Sequence, residues 1–233
     1  MKRILVVLIS LMLLAPMAFA EAVAPRDHLI DRFLANAKQL YDDAGGRLQS
    51  AHYSGDIYLC KNFTVEVFRR SKGGFALAAA PGKELVIPNN LPREESKPYQ
   101  YGIEWEEIPA EDGNPFTLAA QFKYDKNLSK KENVAAATAF MHEVKKGDFF
   151  QMSADYYYGV GAHSLIFIAD YDPDTDTVHW TDSNMKGQKK NGIRYGLAQW
   201  DAEKKVKWFV DAFCHPGRGA SLYRLRDDVV ALP

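Results

Sequence analysis

The sequence predicts an α+β fold in which N-terminal helices pack on a central antiparallel β-sheet. The first observation is that apolar residues recur with the one-sided spacing of amphipathic helices over residues 25–41 and 57–70. The second is that short segments after Gly147 alternate between apolar and polar residues, as strands do. The third is a turn-forming Asp-Pro-Asp-Thr-Asp run at residues 172–176, which joins two of those strands as a hairpin.

The first twenty residues predict an export signal. Lys2 and Arg3 precede an apolar run over residues 4–14, and Ala18-Phe19-Ala20 forms a small-x-small cleavage site. We therefore expect a signal peptide at residues 1–20 and a bacterial protein that is secreted or periplasmic, with no membrane attachment after cleavage. An uncleaved membrane anchor is the alternative interpretation of the same segment.

The charge balance argues against a nucleic-acid partner. The chain has 29 Lys and Arg against 30 Asp and Glu, for a formal net charge of −1. Loss of the two basic residues of the leader makes that charge more negative, whereas a nucleic-acid interface requires a basic face. Residues 21–233 have the length and composition of a single domain, which we expect to be a monomer. No pair of Cys or His residues has the spacing of a metal site, and we expect no cofactor.

The N-terminal half is predicted to be helical. A helix within residues 25–44 ends at Gly45-Gly46, and a second over residues 57–70 ends at Gly73-Gly74, although its β-branched residues would also suit a strand. Residues 81–127 are rich in Pro, Gly, Asn and charge, and we interpret them as a long inserted excursion with short strands near residues 101–105 and 116–122.

The C-terminal half is predicted to form the sheet. A capping box at Ser129–Glu132 opens a helix over residues 133–144. Strands are expected at residues 148–152, 163–171, 177–183 and 221–225, with another strand or edge near residues 195–200. Residues 206–213 fit either a helix or a strand.

Cys60 is the predicted nucleophile. A helix begins close to it, and a helix N-terminus and a neighbouring imidazole both lower the pKa of a thiol. The N–H groups at the helix start can also stabilise the oxyanion that forms when a thiolate attacks a carbonyl. Among six histidines, His163 is the candidate base because it opens an apolar strand directly after a glycine-bearing segment. A purely structural histidine is the alternative.

The hairpin that follows brings a polar side chain to His163. If its turn centres on Asp174, His163 lies beside residues 182–185 of the returning strand. Asp182 and Asn184 share one face of that strand because side chains alternate with a period of two, and either can orient the imidazole. Alternatively, these polar residues simply end the strand as part of a turn.

Four pieces of the chain resemble the NlpC/P60 and CHAP cysteine peptidases, which are compact papain-like enzymes. They occur in the order typical of those families: a Cys at a helix start, a Gly-Asp strand, a His that opens a strand, and a polar residue on the next strand. The pieces are Leu59-Cys60-Lys61-Asn62-Phe63, Lys146-Gly147-Asp148-Phe149-Phe150, Ala162-His163-Ser164-Leu165-Ile166 and Trp180-Thr181-Asp182-Ser183-Asn184. The first is also similar to the Asp-Cys-Thr-Asn-Phe of secreted amidase-like proteins of the same superfamily.

The resemblance implies a papain-like cysteine hydrolase that cleaves an amide bond, with peptides or peptidoglycan as its substrate. Cys60, His163 and either Asp182 or Asn184 would be its catalytic residues. Tyr53 and Tyr58 would line the oxyanion side of the groove and Trp180 would form a wall, unless these aromatic residues belong to the core.

Three alternatives to this hydrolase remain open from the sequence. Cys60 and Cys214 are the only cysteines, and an oxidising compartment would allow a disulfide between them. The residues flanking Cys60 and the long excursion would also suit an exported binding or inhibitory protein without turnover. An acyl transferase would use the same three groups and release the acyl chain to an amine instead of water.

Overall fold

The computed structural model describes residues 23–45, 57–58, 60–88, 105, 108–156, 159–190 and 193–233. Its helices are α1 (Pro25–Asp43), α2 (Cys60–Ser71), α3 (Lys130–His142) and α4 (Val206–Phe213), and a short 3-10 turn covers Ala110–Asp112. Its strands are β1 (Phe75–Leu77), β2 (Phe116–Lys123), β3 (Phe149–Tyr156), β4 (Gly159–Phe167), β5 (Thr177–Lys190), β6 (Ile193–Lys205), β7 (Gly219–Leu225) and β8 (Val229–Ala231).

The strands form a six-stranded antiparallel sheet with a small two-stranded sheet beside it. The order in the large sheet is β2-β7-β3-β4-β5-β6, and β1 pairs with β8 in the small one. Successive side chains of a strand point to opposite faces. Phe149 accordingly packs with residues of α1 and α2, whereas Phe150 packs with residues of α3 and α4. Helices on an antiparallel sheet confirm the predicted α+β class.

Helix α1 follows the predicted apolar stripe. Leu29, Phe33, Ala37 and Leu40 recur every three or four residues and are at most 1% exposed. Burying a side chain such as Leu or Phe contributes about 1.5–3 kcal/mol, so this stripe holds the helix on the sheet. The helix ends as predicted, because Gly45 adopts a φ of 71°, a left-handed conformation that favours glycine.

The helices of the other face also match their sequence signals. The capping box is confirmed: the Ser129 hydroxyl accepts from the backbone N–H of Glu132 at 3.2 Å, and the Glu132 carboxylate accepts from the N–H of Ser129 at 2.8 Å. Residues 206–213, which fitted either a helix or a strand, form α4. Its buried side chains fall on one helical stripe: Val206, Phe209, Val210 and Phe213.

The segment interpreted as an excursion contributes to the core and to the sheet. The predicted strand at residues 116–122 is β2, the edge strand that pairs with β7. Trp105 stacks on Tyr223 with ring centroids 4.1 Å apart, and its backbone N–H donates to the Tyr223 hydroxyl at 2.7 Å. Residues 81–127 are therefore not only a surface insertion. Of the predicted strand near residues 101–105, all but Trp105 lies outside the described residues.

The hairpin of β4 and β5 matches its prediction within one residue. The observed pairs are Ile166↔Thr181 and Phe167↔Trp180, and β4 ends at Phe167 instead of residue 171. Strand β5 continues to Lys190, so the Thr-Asp-Ser-Asn run lies inside a strand and does not end it as a turn. The longer strand has a partner throughout most of its length, because β6 pairs with it from Thr177 to Lys190.

The predicted signal peptide at residues 1–20 lies outside the described residues. Among the helices that the structure does describe, none combines the length and the apolar character needed to cross a membrane.

Gly147 and Asp148, the Gly-Asp pair quoted above, tie β3 to α1 and β7. Gly147 has a φ of 86°, and a Cβ there would lie 2.8 Å from the side chain of Ile30, so only glycine fits. The fully buried Asp148 carboxylate accepts from Arg224 at 2.8 and 2.7 Å and from the backbone N–H of Lys145 at 2.9 Å. Burial raises the pKa of Asp148 against the lowering effect of Arg224. The pair is therefore structural.

Replacing Asp148 with Asn removes the buried negative charge that compensates the Arg224 guanidinium. We expect Asp148→Asn to lower the free energy of unfolding by about 3 kcal/mol, because one member of a buried pair is left uncompensated. Urea denaturation followed by circular dichroism measures this change. The matched control is Asp227→Asn, since Asp227 pairs with Arg26 at 2.9 Å but is 92% exposed. Asp227→Asn should lower the free energy of unfolding by less than about 1 kcal/mol. Equal losses in both variants would contradict the assignment.

Candidate active site

Cys60 is the first residue of α2, and it is partly buried against β4. Its thiol lies 3.9 Å from the carbonyl oxygen of Ala162, directly before His163. The helix forms here because Phe63 and Val67 fall on one face and are fully buried against the sheet. Cys60 and Cys214 are both free thiols, so the disulfide that the sequence allowed is not formed.

His163 and Asp182 form a buried pair between β4 and β5. The ring nitrogen Nε2 of His163 lies 2.7 Å from Oδ2 of Asp182, and both side chains are less than 10% exposed. Continued from Ile166↔Thr181, the register places Asn184 directly across from His163, and Asp182 two residues away on the diagonal. The 2.7 Å distance nevertheless identifies the Asp182 carboxylate as the hydrogen-bond partner of the ring. Asn184, the other candidate, has an exposed side chain.

The second ring nitrogen of His163 is left for Cys60. Nδ1 is buried and makes no hydrogen bond within normal distance and angle limits. The thiol and the ring nevertheless shift each other's pKa, so they are neighbours without a well-aligned hydrogen bond. Such loose geometry is common in substrate-free active sites. The ring thus has a carboxylate at Nε2 and the Cys60 thiol as a neighbour.

The pKa values of Cys60 and His163 move toward an ion pair. Burial alone would raise the pKa of the Cys60 thiol, but His163 and the backbone N–H groups of Lys61 and Ser164 lower it. Burial alone would lower the pKa of His163, but Asp182 and Cys60 raise it to about 10. Both shifts favour a thiolate beside an imidazolium over the pH range between the two pKa values.

Gln199 is a site residue that the sequence analysis missed. It lies on β6 opposite Asp182, and its Nε2 donates to Oδ1 of Asp182 at 2.8 Å. The carboxylate therefore has one oxygen on His163 and the other on Gln199. A signal existed in the predicted strand near residues 195–200, but its register against residues 177–183 could not be read from the sequence.

The aromatic residues predicted to contact substrate fall into different environments. Tyr58 follows the core alternative left open by the sequence: its ring is buried in the core beneath α1, and its hydroxyl donates to the Leu40 carbonyl at 3.1 Å. This position secures α2 to α1 and leaves the ring no groove to line. The Tyr58 carbonyl accepts from Ser183 Oγ at 2.9 Å. Tyr53 lies outside the described residues.

A cavity of about 280 Å³ adjoins the His163–Asp182 pair. Trp180, which is 5% exposed and part of the apolar core, contributes to one wall, and Trp208 of α4 forms another. The two indole rings are nearly parallel, with centroids 6.0 Å apart, and Trp208 is 45% exposed. The remaining wall residues include Leu165, Gln199, Ala202, Glu203 and Lys204. The cavity has an aromatic surface with a polar rim on the His163–Asp182 side of the site, and Cys60 is not among its wall residues.

A larger groove among the described residues has a different character. Its volume is about 1040 Å³, and it lies between the start of α1 and the end of β7, where Asp182 and His163 do not reach. Its basic side chains are paired with acidic ones, as in Arg26–Asp227, Lys145–Asp170 and Lys146–Asp31. Size alone does not make it a site. Within the described ranges, no three His, Cys, Asp or Glu side chains come together as ligands for a metal.

Comparison with known proteins identifies no similar protein. No protein-family model, no curated protein and no solved structure matches this chain. The geometry of Cys60, His163 and Asp182 therefore carries the functional argument by itself.

Proposed function

We propose that this protein is a cysteine hydrolase that cleaves amide bonds, with Cys60 as nucleophile, His163 as base and acid, and Asp182 as orienting residue. One observation supports the proposal above all: a thiol at a helix start lies beside a buried imidazole whose other nitrogen binds a carboxylate. A structural role for His163 does not require a neighbouring thiol of lowered pKa, whereas covalent catalysis requires one.

Acylation is the first half of the proposed reaction. The Cys60 thiolate attacks the carbonyl carbon, a C–S bond forms, and the carbonyl electron pair moves to the oxygen. Backbone N–H groups at the start of α2 stabilise this oxyanion. When the intermediate collapses, the C–N bond breaks and the leaving amine takes the proton from the His163 imidazolium. The products of this half are a free amine and a thioester on Cys60.

Deacylation restores the resting site. Neutral His163 accepts a proton from water as the water oxygen attacks the thioester carbonyl. Collapse of this second intermediate breaks the C–S bond and releases a carboxylic acid. The imidazolium and the thiolate are then regenerated together. The Asp182 carboxylate stabilises the positive ring each time it forms.

We further propose that the architecture is of the papain-like NlpC/P60 type and that the protein acts outside the cytoplasm on peptides, with peptidoglycan stem peptides first among them. The order of Cys60 on a helix, His163 on a strand and Asp182 on the next strand supports this type. The leader-like first twenty residues support the location. We expect a monomer that needs no cofactor.

Thiol reactivity tests the activated nucleophile directly. At pH 6, iodoacetamide should alkylate Cys60 at least about tenfold faster than Cys214, because a tenfold larger thiolate fraction follows from each unit by which a pKa falls. Burial raises the pKa of Cys214, which makes it an internal control. His163→Ala should abolish the difference. Mass spectrometry of tryptic peptides measures both rates, and equal rates in the wild type would refute the proposal.

Hydrolysis tests the reaction itself. Cys60→Ala and His163→Ala should each lower the release of free amine from peptides and soluble peptidoglycan fragments by at least about a thousandfold. Cys214→Ala and His142→Ala are matched controls and should retain wild-type rates. Product that appears only when an acceptor amine is added would instead identify an acyl transferase. Substrate binding without turnover in the wild type would identify a binding protein.

The cavity beside His163 is the proposed place for part of the substrate. Trp208→Ala should raise KM about tenfold and change kcat little, because an exposed ring contributes to ground-state and transition-state binding alike. Steady-state kinetics on a cleaved peptide measures both parameters. Leu118→Ala is the control, since Leu118 is 49% exposed on the edge strand β2. An unchanged KM in Trp208→Ala would exclude this cavity.

A further inference from the structure

We propose that Gln199 is a positioning residue, one that holds Asp182 in the orientation in which its other oxygen receives His163. The proposal deepens the proposed function and rests on it for its catalytic meaning. Gln199 touches neither Cys60 nor the reacting atoms of a substrate. Its effect passes through Asp182 and then His163.

The contacts of the Asp182 carboxylate support this role. Oδ2 faces His163 at 2.7 Å and Oδ1 accepts from Gln199 at 2.8 Å, so each oxygen has a polar partner. Asp182 is 4% exposed, and a buried carboxylate needs such partners to remain ionised. With only one partner, the carboxylate could rotate about its χ2 angle and lose alignment with the ring. Two opposed hydrogen bonds prevent that rotation.

The chemistry of an amide suits the position. A Lys or Arg here would compete with the imidazolium for the same carboxylate, whereas the neutral amide donates an N–H and adds no charge. The orientation with nitrogen toward Asp182 is the only one that avoids two facing oxygens. Gln199 thus gives the Asp182 carboxylate a second hydrogen bond without weakening its contact with His163.

The backbone of Gln199 is itself fixed. Between the pairs Trp180↔Ala202 and Asp182↔Gln199, β6 has one residue more than β5, which makes a β-bulge. Where the bulge interrupts the backbone hydrogen bonds between β5 and β6, Thr181 Oγ1 donates to the Gln199 carbonyl at 2.8 Å. Asp201, inside the bulge, has a positive φ of 52°. The bulge therefore aims the Gln199 side chain at Asp182.

Two substitutions separate positioning from packing. Gln199→Met keeps the length of the side chain and removes the N–H donor. Gln199→Glu donates to Asp182 while it is protonated and repels Asp182 once it is ionised. The charged or titratable groups around Gln199 are His163 on β4, Asp182 on β5, and Glu203 and Lys204 on β6. Both variants leave these groups in place.

The first measurement is the rate of Cys60 alkylation by iodoacetamide between pH 5 and 9. At pH 6, Cys60 should be alkylated about tenfold more slowly in Gln199→Met than in the wild type, and the two rates should converge at high pH. The reason is that Asp182, without the hydrogen bond from Gln199, stabilises the imidazolium less. Gln199→Glu should match the wild-type alkylation rate near pH 5, where the introduced carboxyl still donates, and fall behind it at intermediate pH once that carboxyl is ionised. The two rates should converge again at high pH. A packing defect would affect both variants equally at all pH values.

The second measurement is the pKa of His163 from NMR of its ring, which does not depend on thiol reactivity. Gln199→Met should lower the pKa of His163 below the wild-type value. Gln121→Met is the matched control: Gln121 donates to Ser221 Oγ at 2.9 Å on the same sheet, away from the site. It should leave both measurements unchanged.

The outcomes distinguish the two proposals. If wild-type Cys60 reacts no faster than Cys214, the proposed function fails, and the NMR comparison alone decides the role of Gln199. If wild-type Cys60 is activated but Gln199→Met matches the wild type in both measurements, the positioning role is refuted. The positioning role is refuted as well if Gln121→Met shifts the pKa of His163 as much as Gln199→Met does.

Discussion

The 2.7 Å contact between His163 Nε2 and the buried Asp182 carboxylate is the constraint on which the rest of the site depends. Neither group could keep its charge alone at this depth without a large desolvation cost. Their contact occupies one ring nitrogen and leaves the other for Cys60. The imidazolium then lies between two negative groups, the carboxylate and the thiolate, while the start of α2 supplies N–H groups to the thiolate.

The strands on either side of Asp182 place it for this contact. Among the described residues, β4 pairs with β5 at Ile166↔Thr181 and Phe167↔Trp180. Continued toward His163, that register puts Asp182 on the diagonal, within reach of the ring. On the other side of β5, the bulge in β6 aims Gln199 at the second carboxylate oxygen. Bulges are common beside active sites.

Much of the fold could be predicted because it depends on local patterns. The stripe of α1, the Ser129 capping box and the hairpin after residue 171 are all encoded within a few neighbouring residues. The choice between Asp182 and Asn184 was not, since both share a face and only the paired register separates them. The position of Gln199 depends on a bulge in its own strand β6, which is two strands away from His163 in the sheet. The role of Tyr58 stayed open between core and groove because a buried tyrosine and a groove-lining tyrosine look the same in sequence when the burying helix is distant.

Strand β7 lies between β2 and β3 in the large sheet, although it is the seventh of the eight strands in the described part of the chain. Tyr223 and Leu225 of this strand belong to the same apolar cluster as Phe33 of α1, and Arg26 at the start of α1 pairs with Asp227, 201 positions further on. Neither the large sheet nor the packing of the first helix is complete until residues 219–227 are available. Contacts of such long range slow folding. Until β7 joins them, β2 therefore lacks its partner in the sheet, and β3 is paired on one edge only, with β4.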